Sequence, residues 1–345
     1  MPSIFYNTSK KILFRLDPEI AHDLALWGLK HIDAWGFSFN KKLIVDNPST
    51  VMGLTFRNKV GLAAGLDKNG DFINSLQNLG FGFIELGTVT PKPQTGNPKP
   101  RLFRIPEAEA LVNRLGFNNK GVDYLFDQVK NSSRDAVIGI NIGKNKTTPI
   151  EDAHHDYEYC LRKIYTLADY ITINISSPNT ENLRSLQESA NLHMLLKHIS
   201  SVRETLRQIH GVMTPIAIKI APDLDDLELE TIVDAVGTYG FDGIVSTNTT
   251  IQRPHRELKN LSETGGLSGG LLTHTSTRII QKLSSLTQGA IPIIGVGGIL
   301  TPQDAQDKIN AGASLIQLYS GLIYKGPQLV KDCAHAISQP LMPDK

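Results

Sequence analysis

The chain has 345 residues, 40% of them hydrophobic and 20% charged, and a formal net charge of +1. Ordinary domains run to ~100–200 residues, so one α/β barrel of ~250 residues plus an extension suits this length. The balance of 35 basic and 34 acidic side chains leaves no basic surplus for nucleic acid, and no stretch approaches the ~20 apolar residues that a membrane-spanning helix needs.

Cys160 and Cys333 stand far apart, without the spacing of a disulfide framework or a zinc site, and are expected to be small core residues of a protein in a reducing compartment. No motif for metal ligation is present, and the N-terminus lacks the continuous apolar segment of a secretory signal.

In chain order, residues 5–16 carry Ile12, Leu13 and Leu16 beside Lys10, Lys11 and Arg15. After Asp17-Pro18 a second helix is expected over 19–34, with Ile20, Leu24, Trp27 and His31 at helical spacing and Ala21, Ala25, Gly28 and Ile32 alongside. Two readings stay open for residues 1–45: a helical hairpin capping one end of a barrel, or an interfacial element lying on a membrane, which basic residues beside an apolar face and a Trp would suit.

From residue 58 onward, short runs rich in Ile, Val and Leu alternate with longer periodic segments, as in repeated β-α units around a parallel sheet. Strands are expected at 60–64, 83–87, 136–142, 170–175, 215–220, 243–247, 292–296 and 315–319, nearly continuous in hydrophobicity as burial on both faces requires. Helices are expected at 71–79, 122–129, 152–167, 192–208, 225–239, 276–286, 302–311 and 327–337. Thr301-Pro302 and the acidic run from Asp223 to Glu230 supply start signals. The fold class is α/β, a (β/α)8 TIM barrel with an N-terminal helical extension, although periodicity alone also permits a doubly wound open sheet.

Barrel chemistry belongs to the C-terminal ends of the strands. The first strand runs into Ala63-Ala64-Gly65-Leu66-Asp67-Lys68-Asn69-Gly70, where small residues let a flat ligand approach the backbone and Lys68 adds a cation. The second is followed by a loop over 91–111, long enough without an evident element of its own to suggest function. Amides gather at the same rim: Asn141, Asn174 and Asn248, joined by Asn113, Asn118, Asn119 and Asn179. Such a set matches a neutral ring bearing N–H and C=O groups, a pyrimidine or a flavin, although any single Asn equally suits a turn.

Gly295-Val296-Gly297-Gly298-Ile299 and Tyr319-Ser320-Gly321 end the last two strands, where barrels often bind phosphate. Lys219, ending the fifth strand, would face the interior and stabilise charge on a reduced ring. Pro178 restricts the backbone of Ser177 and so fixes the direction of its hydroxyl. No Ser-His-Asp arrangement or Gly-x-Ser-x-Gly elbow supports acyl transfer.

Six ordered motifs spanning nearly the whole chain resemble the dihydroorotate dehydrogenases. They are Gly61-Leu62-Ala63-Ala64-Gly65-Leu66-Asp67-Lys68, Gly87-Thr88-Val89-Thr90-Pro91, Asn113-Arg114-Leu115-Gly116-Phe117-Asn118, Asn174-Ile175-Ser176-Ser177-Pro178-Asn179-Thr180, Lys219-Ile220-Ala221-Pro222-Asp223 and Gly295-Val296-Gly297-Gly298. The resemblance implies oxidation of dihydroorotate to orotate in pyrimidine synthesis, with FMN taking a hydride at N5 and Ser177 acting as the base. The soluble class has Cys at that position, so serine points to the membrane class that reduces a quinone. Asp17-Pro18-Glu19 and His22 in the hairpin look like that class too.

By matching position, Ala64, Gly65, Leu66, Asp67, Lys68, Thr88, Asn141, Asn174, Lys219, Thr247, Gly269, Gly298, Tyr319 and Ser320 would contact FMN. Lys68, Asn113, Arg114, Leu115, Gly116, Phe117, Asn174, Asn179, Asn248 and Thr249 would hold the substrate, with His22 and Arg104 lining the quinone tunnel. Thr180 and a water shielded by Phe117 would relay the proton from Ser177. After Leu267-Ser268-Gly269 the family often has a proline two residues on, whereas Gly270-Leu271 follow here.

The resemblance divides the chain into residues 1–45, a hairpin for membrane and quinone access, and 46–345, the FMN-binding catalytic barrel. It sets the protein peripherally on the cytoplasmic face of the inner membrane and leaves the oligomeric state open, a monomer included. A soluble fumarate-type dihydroorotate oxidase, a flavin-free phosphate-binding barrel and a non-catalytic ligand-binding barrel remain as alternatives.

Overall fold

The computed structural model describes residues 3–34, 44–254 and 257–338; part of the 1–45 assignment, residues 1–2 and 35–43, therefore lies outside the described residues. The chain starts with two helices, α1 (Ser3–Leu13) and α2 (Pro18–Ala34). Asp17 caps the second, its carboxylate accepting from the backbone N–H of Glu19 at 2.9 Å and of Ile20 at 3.2 Å, with Pro18 pre-set for the first helical position.

Strands follow in the order β1 (Ser49–Val51), β2 (Leu54–Phe56), β3 (Val60–Leu62), β4 (Phe83–Val89), β5 (Leu102–Ile105), β6 (Ala110–Asn113), β7 (Val137–Ile142), β8 (Tyr170–Asn174), β9 (Ile216–Ile220), β10 (Gly243–Ser246), β11 (Gly266–Gly269), β12 (Ile293–Val296) and β13 (Leu315–Leu318). Between them lie α3 (Ile73–Gln77), α4 (Val122–Lys130), α5 (Ala153–Ile164), α6 (Ser189–His210), α7 (Asp226–Thr238), α8 (Thr273–Thr287), α9 (Pro302–Asn310), α10 (Ser320–Lys325) and α11 (Gln328–Ala336).

The eight parallel strands β10-β12-β13-β3-β4-β7-β8-β9 close on one another, which removes the open-sheet alternative. Each falls within a residue or two of a hydrophobic run, because a strand covered by helices outside and side chains inside has no polar face to break the pattern. Helix starts obey their local signals: Asp225 with Glu228 and Thr301 with Asp304 both form reciprocal capping boxes. Asp223, expected at the start of α7, instead pairs with Arg184 at 2.8 Å and accepts from the Thr250 hydroxyl. Both cysteines are buried in the core.

Two features differ from the sequence reading. The hairpin β1-β2 brings Phe56 into the barrel interior, where its ring meets Phe83 at 5.2 Å and Phe83 meets Tyr170 at 6.3 Å, forming an aromatic floor. The segment 91–111 is not a structureless loop: β5 and β6 pair with each other and with β11 in a three-stranded antiparallel sheet, Asn113 standing opposite both Leu102 and Gly266.

The hairpin is fastened to the far end of the chain. Tyr6 donates to the carbonyls of Leu322 and Ile323 at 3.0 and 2.8 Å, and Lys10 to that of Tyr324 at 2.8 Å. Arg104 of β5 stacks over Phe14 at 4.7 Å and donates to the Leu16 carbonyl at 2.9 Å.

Phe83 fills the space that a side chain at Gly61 would need, since a Cβ there would lie 2.3 Å from its ring. Phe83→Ala is therefore expected to cost about 3–5 kcal/mol, read as a lowered denaturant midpoint at unchanged slope.

Candidate active site

At the C-terminal mouth of the barrel lies a cavity to which every barrel strand but β7, or the loop that follows it, contributes. It is lined by Ala64, Gly65 and Lys68 after β3, Thr88 on β4, and Asn174, Ser177 and Asn179 from β8 and its loop. Lys219 on β9, Thr247, Asn248 and Thr249 after β10, Gly298 after β12, and Tyr319 and Ser320 after β13 complete the ring, with Gly269 ending β11 and Asn113, Leu115, Gly116 and Phe117 reaching in from the end of β6. Nineteen of the residues singled out for cofactor, substrate or catalysis are thus brought together in one cavity.

Four of those residues stand off that wall. Asp67 is buried beneath it, its carboxylate accepting from the backbone N–H groups of Asn69, Asp71 and Phe72 at 3.3, 3.0 and 2.8 Å, so it shapes the loop that presents Lys68. Asn141 is fully buried behind Thr88, accepting from its hydroxyl at 2.5 Å and from Asn174 Nδ2 at 3.1 Å. Arg114 turns outward to Glu263 at 2.7 Å, and Leu66 faces a second chamber.

Asn118 and Asn119, counted in the amide ring, also lie away from the cavity. Asn119 braces its own loop, its Oδ1 accepting from Gly121 N at 2.8 Å and its Nδ2 donating to the Phe117 carbonyl at 2.7 Å. Residue type alone does not separate an amide that faces a ligand from one that holds a turn.

The amides that do face the cavity are fixed by one another. Asn174 Nδ2 donates to Thr88 Oγ1 at 2.9 Å, Asn248 Nδ2 to Ser176 Oγ at 3.0 Å, and Asn179 Nδ2 to Asn113 Oδ1 at 3.1 Å. Ser177 Oγ accepts from the backbone N–H of Asn179 at 3.2 Å, a contact that favours negative charge on that oxygen. Thr180 Oγ1 is buried and has no hydrogen-bond partner among the described residues.

Electrostatics mark the same place. Burial lowers the pKa of Lys219, with Glu85 pulling the other way, and no protein acceptor lies within hydrogen-bond reach of its ammonium among the described residues. Burial likewise lowers Lys68, opposed first by the charge of Glu19. Glu85 is a fully buried carboxylate that no local motif marks out; Asn141 Nδ2, Gln317 Nε2 and the Tyr170 hydroxyl donate to it at 2.7, 2.7 and 2.9 Å. Ser268 and Gln317 also line the cavity and were not expected there, whereas Gly297 lies there as part of the expected glycine turn. At Gly297 and Gly298 φ is +117° and +71°, left-handed values that glycine adopts freely.

The second chamber lies under the hairpin and is mostly apolar, walled by Leu13, Phe14, Leu29, Leu66, Leu322 and Ile323 among others. His22 and Arg104 both line it, as does Tyr319, which is common to the two cavities. Its wall joins residues more than 300 positions apart, as in the Tyr6–Leu322 bond, so no local sequence signal could assemble it. Among the described residues no group of three or more His, Cys, Asp or Glu is disposed to hold a metal ion.

A family model for dihydroorotate dehydrogenase matches residues 48–341. A Pectobacterium atrosepticum protein named dihydroorotate dehydrogenase (quinone) is 52% identical over 331 residues, 95% of this chain and 98% of that one. A protein of the same name from Dechloromonas aromatica is 51% identical over 340 residues, 97% of this chain and 98% of that one. The crystal structure of DHODH in complex with ferulenol from Eimeria tenella superposes with a TM-score of 0.86 at 38% identity, over 93% of this chain and 90% of that one.

His22 is held down to about 4, first by burial and then by the Lys68 charge, against Glu19 and a hydrogen bond to the Leu66 backbone. Its folded value lies below the unfolded one, so the unfolded chain binds the extra proton and stability falls as pH drops from about 6.5 toward 4. At ~1.36 kcal/mol per unit, urea unfolding at pH 7.5 and 4.5 should show a loss in the parent of roughly 2–3 kcal/mol beyond that of His22→Asn.

Proposed function

The chain belongs to the dihydroorotate dehydrogenase family, and from that premise we propose that it oxidises dihydroorotate to orotate in pyrimidine biosynthesis and passes the electrons to a quinone. The observation that carries this reading is the meeting at Tyr319 of two chambers of opposite character. One is lined by lysine, serine and amides, matched to a charged pyrimidine; the other is apolar, matched to a quinone. A small dicarboxylate acceptor such as fumarate would find poor solvation in the apolar chamber.

The family implies a flavin, which we read as FMN. The donor set fits it. Lys219 offers a buried cation without a protein acceptor among the described residues, Gln317 Oε1 is buried without a partner, and Gly297, Gly298, Ser320 and Gly321 present a small-residue end suited to phosphate. Ala64, Gly65, Lys68, Thr88, Asn174, Lys219, Thr247, Gly269, Gly298, Tyr319 and Ser320 would hold FMN, with Leu66, Asp67 and Asn141 supporting them from behind. Bound there, FMN would supply the two-electron acceptor that serves both chambers.

The chain's own residues then divide the work. Lys68 would pair with the substrate carboxylate, and Asn113, Asn174, Asn179, Asn248 and Thr249 would match the N–H and C=O edges of its ring. Leu115, Gly116 and Phe117 would exclude water from above, and Arg114 would brace that segment through Glu263. Ser177 Oγ would take the proton from the substrate carbon, helped by the Asn179 N–H. The partnerless Thr180 hydroxyl supports a relay that carries the proton on through water.

Attachment to the membrane would use α1 and α2. Ile20, Leu24 and Trp27 are 54%, 46% and 58% exposed on one face, beside exposed Ile12 and Leu16 and the cations Lys11 and Arg15. No described helix is long and apolar enough to cross a bilayer, which supports a peripheral position; we place it at the cytoplasmic face of the inner membrane. Trp27→Glu combined with Leu24→Glu should cut co-sedimentation with anionic vesicles several-fold.

Mixing the purified protein anaerobically with dihydroorotate should bleach the flavin, and a quinone should restore its colour. Ser177→Ala is expected to slow the bleaching by roughly 10² to 10⁴. An unchanged single-turnover rate would remove Ser177 from the role of base, and a colourless protein would overturn the flavin reading.

A further inference from the structure

Glu19 stands in the first turn of α2, the helix that also carries His22 into the apolar chamber, and its carboxylate is committed to the segment that leads into β5. Its two oxygens accept from Arg101 Nη2 at 2.7 Å and Nε at 3.2 Å, and Lys99 Nζ stands 3.5 Å away. Arg101 is 7% exposed and uses its remaining Nη1 on the carbonyls of Thr95 at 2.6 Å and Asn97 at 2.8 Å. Asn97 Nδ2 then donates to the Arg114 carbonyl at 3.0 Å and to that of Asn179 at 3.3 Å. Asn179 in turn donates its N–H to Ser177 Oγ at 3.2 Å. An unbroken series of contacts thus runs from the hairpin to the serine of the polar cavity.

The same carboxylate also acts at a distance. Glu19 is the foremost favourable charge on half-buried Lys68, ahead of Asp67 and Asp23, with Arg101 opposing. Removing Glu19 would leave a buried guanidinium unpaired, a costly state that the loop over 95–101 relieves only by moving its arginine toward water. Displacing α2 from the barrel would do the same. Nothing in the oxidation of dihydroorotate requires the quinone-side helix to take part in this way.

Resting on the dihydroorotate dehydrogenase reading, we propose that Glu19 and Arg101 are positioning residues for the dihydroorotate half of the reaction, so that seating of the hairpin and occupancy of the substrate cavity are energetically coupled. Such coupling is reciprocal: whatever the seated hairpin contributes to orotate binding, bound orotate returns to the seating of the hairpin.

The test uses the full-length flavin-loaded protein and three variants, Glu19→Gln, Glu19→Asp and Arg101→Lys. Orotate binding is titrated through the flavin spectrum, and amide hydrogen exchange across 18–34 is followed with and without orotate. In the parent, orotate should slow exchange in α2. Glu19→Gln should weaken orotate binding roughly 5- to 150-fold at unchanged flavin content and erase the orotate-dependent protection, while Glu19→Asp regains part of both.

The coupling is overturned if Glu19→Gln binds orotate as tightly as the parent, or if exchange in the parent α2 is indifferent to orotate. Should Glu19→Gln not fold, Arg101→Lys, which keeps the charge and loses the fork, carries the same two expectations, and the parent's exchange alone can still refute the idea. A parent protein that binds no orotate would bring down the substrate assignment itself, so the two failures are told apart before any variant is made.

Discussion

Two lysine ammonium groups, those of Lys68 and Lys219, are taken out of water at the mouth of this barrel, and the rest of the rim is arranged around that constraint. Desolvating a cation costs several kcal/mol unless charge and hydrogen bonds answer it. Here the answering carboxylates lie on opposite sides: Glu85 in the barrel interior beneath Lys219, and Glu19 on the N-terminal hairpin beyond Lys68. Each carboxylate is itself held by donors, Glu85 by Asn141, Gln317 and Tyr170, and Glu19 by Arg101 and Lys99. A site whose positive charges are balanced from behind keeps its front face free for an anionic ligand.

The two chambers follow from the same division of labour. Barrel strands with inward polar residues near their ends build the polar cavity, whereas the apolar chamber needs surfaces from α1, α2 and α10. Tyr319, partly buried and with its phenol pushed up to about 12, stays neutral between them. A neutral aromatic wall separates solvents of different polarity without adding a charge that either ligand would have to offset.

How much of this could be read from the amino-acid order depends on the range of the forces involved. The barrel strands were legible because double-sided burial leaves a continuous apolar run, and Asp225 and Thr301 were legible as helix starts because capping is decided within four residues. β5, β6 and β11 were not, since strands of four residues are too short for a periodicity of their own, and β11 finds its partner β6 about 150 positions away. Some rim residues were found through their place after strands and others, Leu115, Gly116, Phe117 and Gly269 among them, only through the family resemblance, but Asn118, Asn119 and Asn141 show that position and residue type do not reveal which way an amide turns. Glu85, Asn97 and Arg101 escaped notice because their importance lies wholly in contacts with distant segments.

The bonds from Tyr6 and Lys10 to residues 322–324 have a meaning for biogenesis. The hairpin leaves the ribosome well before the backbone carbonyls that fasten it, which are made roughly 15–60 s later at ~5–20 residues per second. Until residues 71–104 have been made its apolar helices have no intramolecular dock, and a nearby lipid surface or chaperone is the earliest partner on offer. On the proposed attachment through α1 and α2, contact with the bilayer can precede completion of the barrel, with residues 322–324 then locking the hairpin into place.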